Sequence, residues 1–232
     1  MSKKVVKKSP IDSRDHIYKA TDTEAFLPES YLDAGTKVRC QGTSSQCVAY
    51  ACTQAMSQLE RLKTGIYNLY SPGLLYANRE EDDYQGEGWW VRKGLKQLQK
   101  YGTCLEKDFP HPESYKTERK KFLADKENLL KKAAEHKINS YFRCTTEKDI
   151  KRCIMEHGCV ITSATIPWYA LFKHSFTKKN YPTKGGSGHA FILVGWDKDG
   201  WIAQDSYSLL RPWFGLFHLS YDYPLDEFWG ID

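Results

Sequence analysis

Apolar residues from Cys47 onward fall at Val48, Ala51, Cys52, Ala55, Leu59 and Leu62. These steps of three and four predict a helix whose first turn contains Cys47. Gly65 predicts its end. Ser71-Pro72, a capping residue followed by proline, predicts a short second helix through GLLYANRE. A third helix is marked by Val91, Leu95 and Leu98 and stopped by Gly102. Across residues 117–137, Phe122, Leu123, Leu129, Leu130, Ala133 and Ala134 form a helical stripe with lysines opposite, which predicts an amphipathic surface helix.

Past residue 138 the pattern changes. INSYFRC reads as a strand, TEKDIKRCIMEHG as a short helix ending in glycine, and CVITSATI as a strand rich in branched residues. FILVGW, the turn DKDG and WIAQDSY predict a hairpin. The order predicts an α+β fold: a helix-rich first half, a strand-rich second half and a seam near residues 115–140. A cleft between the halves is the expected place for chemistry.

At 232 residues, with 41% hydrophobic and 27% charged positions, the chain is long enough to bury a sizeable core. No apolar run approaches the roughly 18 residues that would span a bilayer, so no membrane partner is expected. The net charge of +5 comes from two places. Four lysines lie within residues 1–8, and residues 116–137 hold eight Lys or Arg against four acids, while the remainder is slightly acidic. A basic tail and one solvated basic helix account for this, and nucleic-acid binding is not expected. The opening MSKKVVKKSPIDSRD has no apolar core after its lysines, so no export signal and a cytoplasmic location are expected, with residues 1–9 disordered. Seven cysteines without a regular framework fit free thiols. No C-x2-C or H-x3-H pair occurs, so neither a structural metal nor a cofactor is expected.

QGTSSQCVAYA, residues 41–51, sets Cys47 at a helix start, where unpaired backbone N–H groups favour the thiolate that does the attacking. An imidazole is also needed, to hold the thiolate and protonate a leaving amine. Of seven histidines, six lie in loops, at helix ends or in ordinary strand contexts. His189 lies in GGSGHAFILVGW, between glycines that permit close approach of another backbone and a strand that fixes the ring. From the residues alone, a structural strand-end histidine remains an open reading of His189.

Together these segments resemble the papain and cathepsin family of cysteine peptidases. LPESYLD (27–33) resembles the mature start, QGTSSQC the QGxCGSC motif, GHAFILVGW (188–196) the histidine motif, and WIAQDSYSLLRPWFGLFHL (201–219) the segment containing NSWG. The interval from Cys47 to His189 falls within the family's spacing of about 130–150 residues. SRDHIY, Glu87-Gly88 with KGLKQLQKYG, and LSYDYPLDEFW are most similar to compact microbial and viral members. The resemblance implies a two-lobed fold: a lead-in over residues 1–26, then a peptidase domain over 27–232. Its helix-rich lobe would span about 35–116 and its β-rich, antiparallel barrel-like lobe about 117–225. Because so few residues precede the mature-like start, latency through a long inhibitory prosegment is not expected.

The resemblance also implies roles. Cys47 is the nucleophile, His189 its acid–base partner, and Gln41 supplies an oxyanion donor beside the Cys47 backbone N–H. Asp205 stands where the family has asparagine and would orient the imidazole. Gly88, Trp89, Trp90, Gly188 and Tyr207 are the expected substrate-binding positions; Trp89 and Trp90 could wall a pocket for an apolar side chain, but plain core tryptophans are the leading reading of the pair. Ser44 replaces a disulfide cysteine and Val48 a tryptophan, which fits a reduced chain. The implied activity is peptide-bond hydrolysis of a protein or peptide by a monomer. An inactive peptide-binding module and an isopeptidase or acyltransferase are the alternatives.

Overall fold

The computed structural model describes residues 6–20, 26–80, 83, 88–111, 114–167, 169, 173–182, 184–207 and 215–232. Two thin strands come early, β1 (Val6–Lys7) and β2 (Tyr31–Leu32), followed by helix α1 (Cys47–Thr64). The expected stripe of α1 is present, and burial runs around the whole helix from Cys47 to Leu59. It ends where glycine permits a left-handed residue, Gly65 at φ 73°, whose N–H caps the Arg61 carbonyl. In α2 (Pro72–Ala77), Ser71 accepts the Leu74 N–H, as its Ser-Pro start predicts. Strand β3 (Trp89–Trp90) leads directly into α3 (Val91–Lys100).

The basic stretch forms two helices, α4 (Tyr115–Ala124) and α5 (Lys126–Ala133), broken at Asp125. Phe122, Leu129 and Ala133 pack with Leu74, Ala77, Cys104 and Phe109 in a small separate core. These two helices therefore extend the helical side to Ala133 rather than opening the strand-rich side.

The remaining elements are β4 (Tyr141–Arg143), α6 (Glu147–His157), β5 (Val160–Pro167), β6 (Ser175–Phe176), β7 (Gly186–Trp196), β8 (Gly200–Gln204), β9 (Leu216–Ser220) and β10 (Phe228–Ile231). A Thr146/Asp149 capping box starts α6. The strands form an open sheet in the order β4-β10-β5-β7-β8-β9-β6, with β2 paired to β7. All pairings in it are antiparallel except β6 with β9. An open sheet thus replaces the barrel-like one expected. The predicted hairpin is β7–β8, its turn closed by Asp197, which accepts the Asp199 and Gly200 N–H groups.

From Ala190 to Trp196 strand β7 has only apolar residues and glycine because both its faces are covered there. Ala190, Ile192 and Val194 pack toward α1, while Phe191 and Leu193 pack into an aromatic core with Phe176, Phe217 and Trp201. Helix α1 is thereby seated on the sheet. Among the described residues, no helix is long and apolar enough to cross a membrane.

Candidate active site

Cys47 is the first residue of α1 and is 0% exposed. The loop before it turns through Gly42, at φ 58°, and is fastened to the sheet side by Gln41, whose backbone N–H donates to the Ser206 carbonyl at 2.7 Å. The Gln41 amide is also fixed. Its Oε1 accepts from Ser206 Oγ at 2.7 Å, and its Nε2 donates one hydrogen to the Ser44 carbonyl at 2.6 Å. An amide nitrogen carries two hydrogens, so one remains to donate elsewhere.

His189 and Asp205 come from the β7–β8 hairpin. Ladder pairing of Ile192 with Gln204 brings the residue after β8 alongside His189, which is itself paired with Ala164 of β5. His189 Nε2 and Asp205 Oδ1 are 2.7 Å apart, with His189 1% and Asp205 0% exposed. The Asp205 Oδ1 also accepts the Ser206 N–H at 2.6 Å. The Tyr207 ring lies stacked on the imidazole, centroids 4.4 Å apart and planes inclined by 24°.

Burial by itself disfavours the imidazolium. The charge and hydrogen bond of Asp205, with a smaller hydrogen-bonding and charge contribution from Cys47, outweigh it and raise His189 to about 9. Nδ1 is buried with no partner in full hydrogen-bond geometry. The thiol contact is looser than a full hydrogen bond, as catalytic contacts often are before substrate binds. Cys47, His189, Asp205, Gln41 and Tyr207 therefore occupy one place. Ser206, which sequence reasoning passed over, ties Asp205 to Gln41; its position directly after Asp205 was the available signal.

The expected substrate-binding positions divide. Gly88, at φ 91°, is turned inward, donating its N–H to the Tyr76 hydroxyl at 3.2 Å and accepting from Arg79 Nη1 at 2.9 Å. Arg79 lies over the Tyr76 and Tyr115 rings. The Trp89 ring is core, its Nε1 donating to Asp83 at 3.0 Å, so it does not wall a pocket. Trp90 is half-buried under the Lys93 ammonium. What Trp89 and Trp90 do present is a backbone edge, and β1 occupies it: Val6 pairs with Trp89 and Lys7 with Trp90, in parallel. Across the gap, a Cβ on Gly188 would meet the Val6 carbonyl oxygen at 2.9 Å. Val6 thus lies between two expected substrate-binding positions, and it shares a core cluster with Cys47.

The sequence description "Papain family cysteine protease" matches residues 30–214. The chain belongs to this family. It is 26% identical over 214 residues to an uncharacterized peptidase-like protein of Acanthamoeba polyphaga mimivirus, covering 82% of this chain and 68% of the viral one. Its fold is similar to that of xylellain, a cysteine protease from Xylella fastidiosa, with a TM-score of 0.81 at 24% identity over 100% of this chain and 96% of xylellain. It is also similar to a procathepsin B from Trypanosoma congolense, with a TM-score of 0.76 at 15% identity over 98% and 87% of the two chains.

Within this papain-family peptidase, all seven cysteines are free, Cys40 exposed and the other six buried. Ser44 uses its hydroxyl on the Gln41 carbonyl at 2.7 Å, holding by a hydrogen bond a loop that the family motif would staple with a disulfide. Part of the family's asparagine segment, residues 208–214, lies outside the described residues. Within residues 6–9, expected to be disordered, Val6 and Ser9 are buried, and Ser9 donates its N–H to Glu227 and accepts the Arg92 N–H. A pair of valines among lysines is too short a pattern to read as a strand, which is why the sequence hid β1.

Proposed function

We propose that this peptidase works through a Cys47 thiolate and His189 imidazolium pair and a thioacyl intermediate. The supporting observation is the placement of His189, sealed from water between Asp205 and Cys47 and raised to about 9. The thiolate attacks the scissile carbonyl carbon, and the developing oxyanion is held by the Cys47 N–H and the remaining hydrogen of Gln41 Nε2. As the intermediate collapses, His189 gives its proton to the departing amine and becomes neutral. It then takes a proton from water, whose hydroxide adds to the thioester; breakage of the C–S bond frees the acid and restores the ion pair.

The substrate is a protein or peptide, bound as a strand along the Trp89–Trp90 edge, and no cofactor enters. β1 holds that edge, so Val6 and Lys7 must leave before substrate binds. Absence of a disulfide partner at Ser44 supports a reducing, cytoplasmic setting. A purely peptide-binding role would need none of Cys47, His189 and Gln41.

An epoxide or vinyl-sulfone probe tests the proposal directly, with the labelled peptide identified because Cys40 is also accessible. Labelling at Cys47, lost in Cys47→Ala together with peptide hydrolysis, is the expected result. A chain that hydrolyses peptides equally well as Cys47→Ala would overturn it. Cleavage of isopeptide-linked but not linear substrates would instead select the isopeptidase alternative.

A further inference from the structure

Glu118 lies on a helix whose sequence reads as a solvated basic face, yet it is 0% exposed. A carboxyl group taken out of water is costly unless partners replace the water. Glu118 has two. Its Oε2 accepts from Gln46 Nε2, and its Oε1 lies 2.7 Å from His111 Nδ1. Space for it is left by Gly73, where a Cβ would sit 3.0 Å from that Oε1.

The partner Gln46 immediately precedes Cys47. It stands where the family motif has serine, and although it is the N-cap of α1 its side chain caps nothing in the helix. Its carbonyl accepts the Tyr50 N–H at 3.0 Å, opening the first turn. Tyr50 meets the His111 ring edge-on, centroids 5.4 Å apart. The Glu118–His111 pair therefore grips α1 on both sides of the cysteine, at Gln46 by a hydrogen bond and at Tyr50 by packing.

We propose that Glu118 is a positioning residue: through Gln46 it fixes the first turn of α1, and so the direction of the Cys47 thiol relative to His189 and Gln41. This rests on the thiol-peptidase reading above. Glu118 touches neither the sulfur nor the oxyanion donors, so its removal should slow chemistry without weakening substrate binding. A displacement of about 1 Å in a reacting group costs up to about 100-fold in rate.

The test is steady-state hydrolysis of a peptide substrate by full-length wild type, Glu118→Ala, Glu118→Gln and Gln46→Ala, normalised to sites titrated with an epoxide. Expected is a fall in kcat per titrated site of about tenfold or more for Glu118→Ala and Gln46→Ala, with KM changed less than about twofold. Glu118→Gln, which still offers an oxygen to Gln46, should return kcat to within about threefold of wild type. A purely structural role would lower the thermal midpoint and the number of titratable sites while leaving kcat per site unchanged. If Glu118→Ala keeps wild-type kcat per site, or if it fails to fold and Gln46→Ala keeps it, the proposal is overturned. Failure of wild type itself to label at Cys47 would count against the peptidase mechanism, not against Glu118.

Discussion

His189 shares its Nε2 proton with Asp205 across 2.7 Å, both side chains closed off from water, beneath the stacked ring of Tyr207. Because Asp205 is a carboxylate rather than an amide, it fixes the ring and also favours its charged form.

Asp205→Asn should remain active but lose the alkaline reach of wild type. A group raised from 6.5 to about 9 stays protonated through neutral pH, so wild-type kcat/KM should hold into mildly alkaline solution. Removing the negative charge lowers the imidazole, and the upper limb should move down by about one to two pH units. The same coupling stabilises the fold fully below pH 6.5 and is lost as pH rises through about 9, so thermal midpoints of wild type should fall over that window more than those of Asp205→Asn. Asp205→Ala, which orients nothing, should lose most activity at every pH. Identical pH–rate profiles for wild type and Asp205→Asn would remove the charge from the mechanism.

Gln41 is held by Ser206 and Ser44 with one amide hydrogen to spare, the arrangement an oxyanion donor needs. Gln41→Ala should lower kcat by about 100- to 1000-fold with little change in KM, the usual consequence of deleting one such donor. Measuring kcat and KM separately decides it, since a residue that only shaped the cleft would raise KM instead.

Val6 and Lys7 occupy the backbone edge of Trp89 and Trp90. Burying a valine side chain is worth about 1.5–3 kcal/mol, so substrate competing with it for the edge should pay roughly 10- to 100-fold in apparent affinity. A chain lacking residues 1–8 keeps the Arg92 and Arg143 contacts to Asp15 that hold the rest of the lead-in, and should show a lower KM by that factor. Val6→Asp should move in the same direction. Unchanged KM in both would mean that β1 leaves too readily to matter.

The helices and the hairpin were legible because their signals are local: the three-and-four spacing after Cys47, the Ser71-Pro72 start, the glycines at 65, 102 and 158, and the DKDG turn. Cys47 and His189 stood out locally, as a helix start and a glycine-flanked strand end, but their roles and that of Gln41 came only from linked motifs, because local pattern leaves a structural strand-end histidine open. The specificity side stayed open in the sequence for a physical reason. A tryptophan pair looks the same in sequence whether its rings wall a pocket or, as with Trp89 bonded to Asp83, fill the core. Glu118 was hidden likewise: one acid among lysines reads as surface until His111 and Gln46 are folded against it.

Proton sharing between Cys47 and His189 is the chemistry on which the rest depends, and the rate of Cys47 alkylation by iodoacetamide at pH 6, in wild type and in His189→Ala, tests it most directly. At that pH His189 is charged and should keep Cys47 reactive, so wild type should alkylate at least about tenfold faster than the variant. Equal rates for the two proteins would show that the imidazole does not hold the thiolate, and would contradict the proposed mechanism.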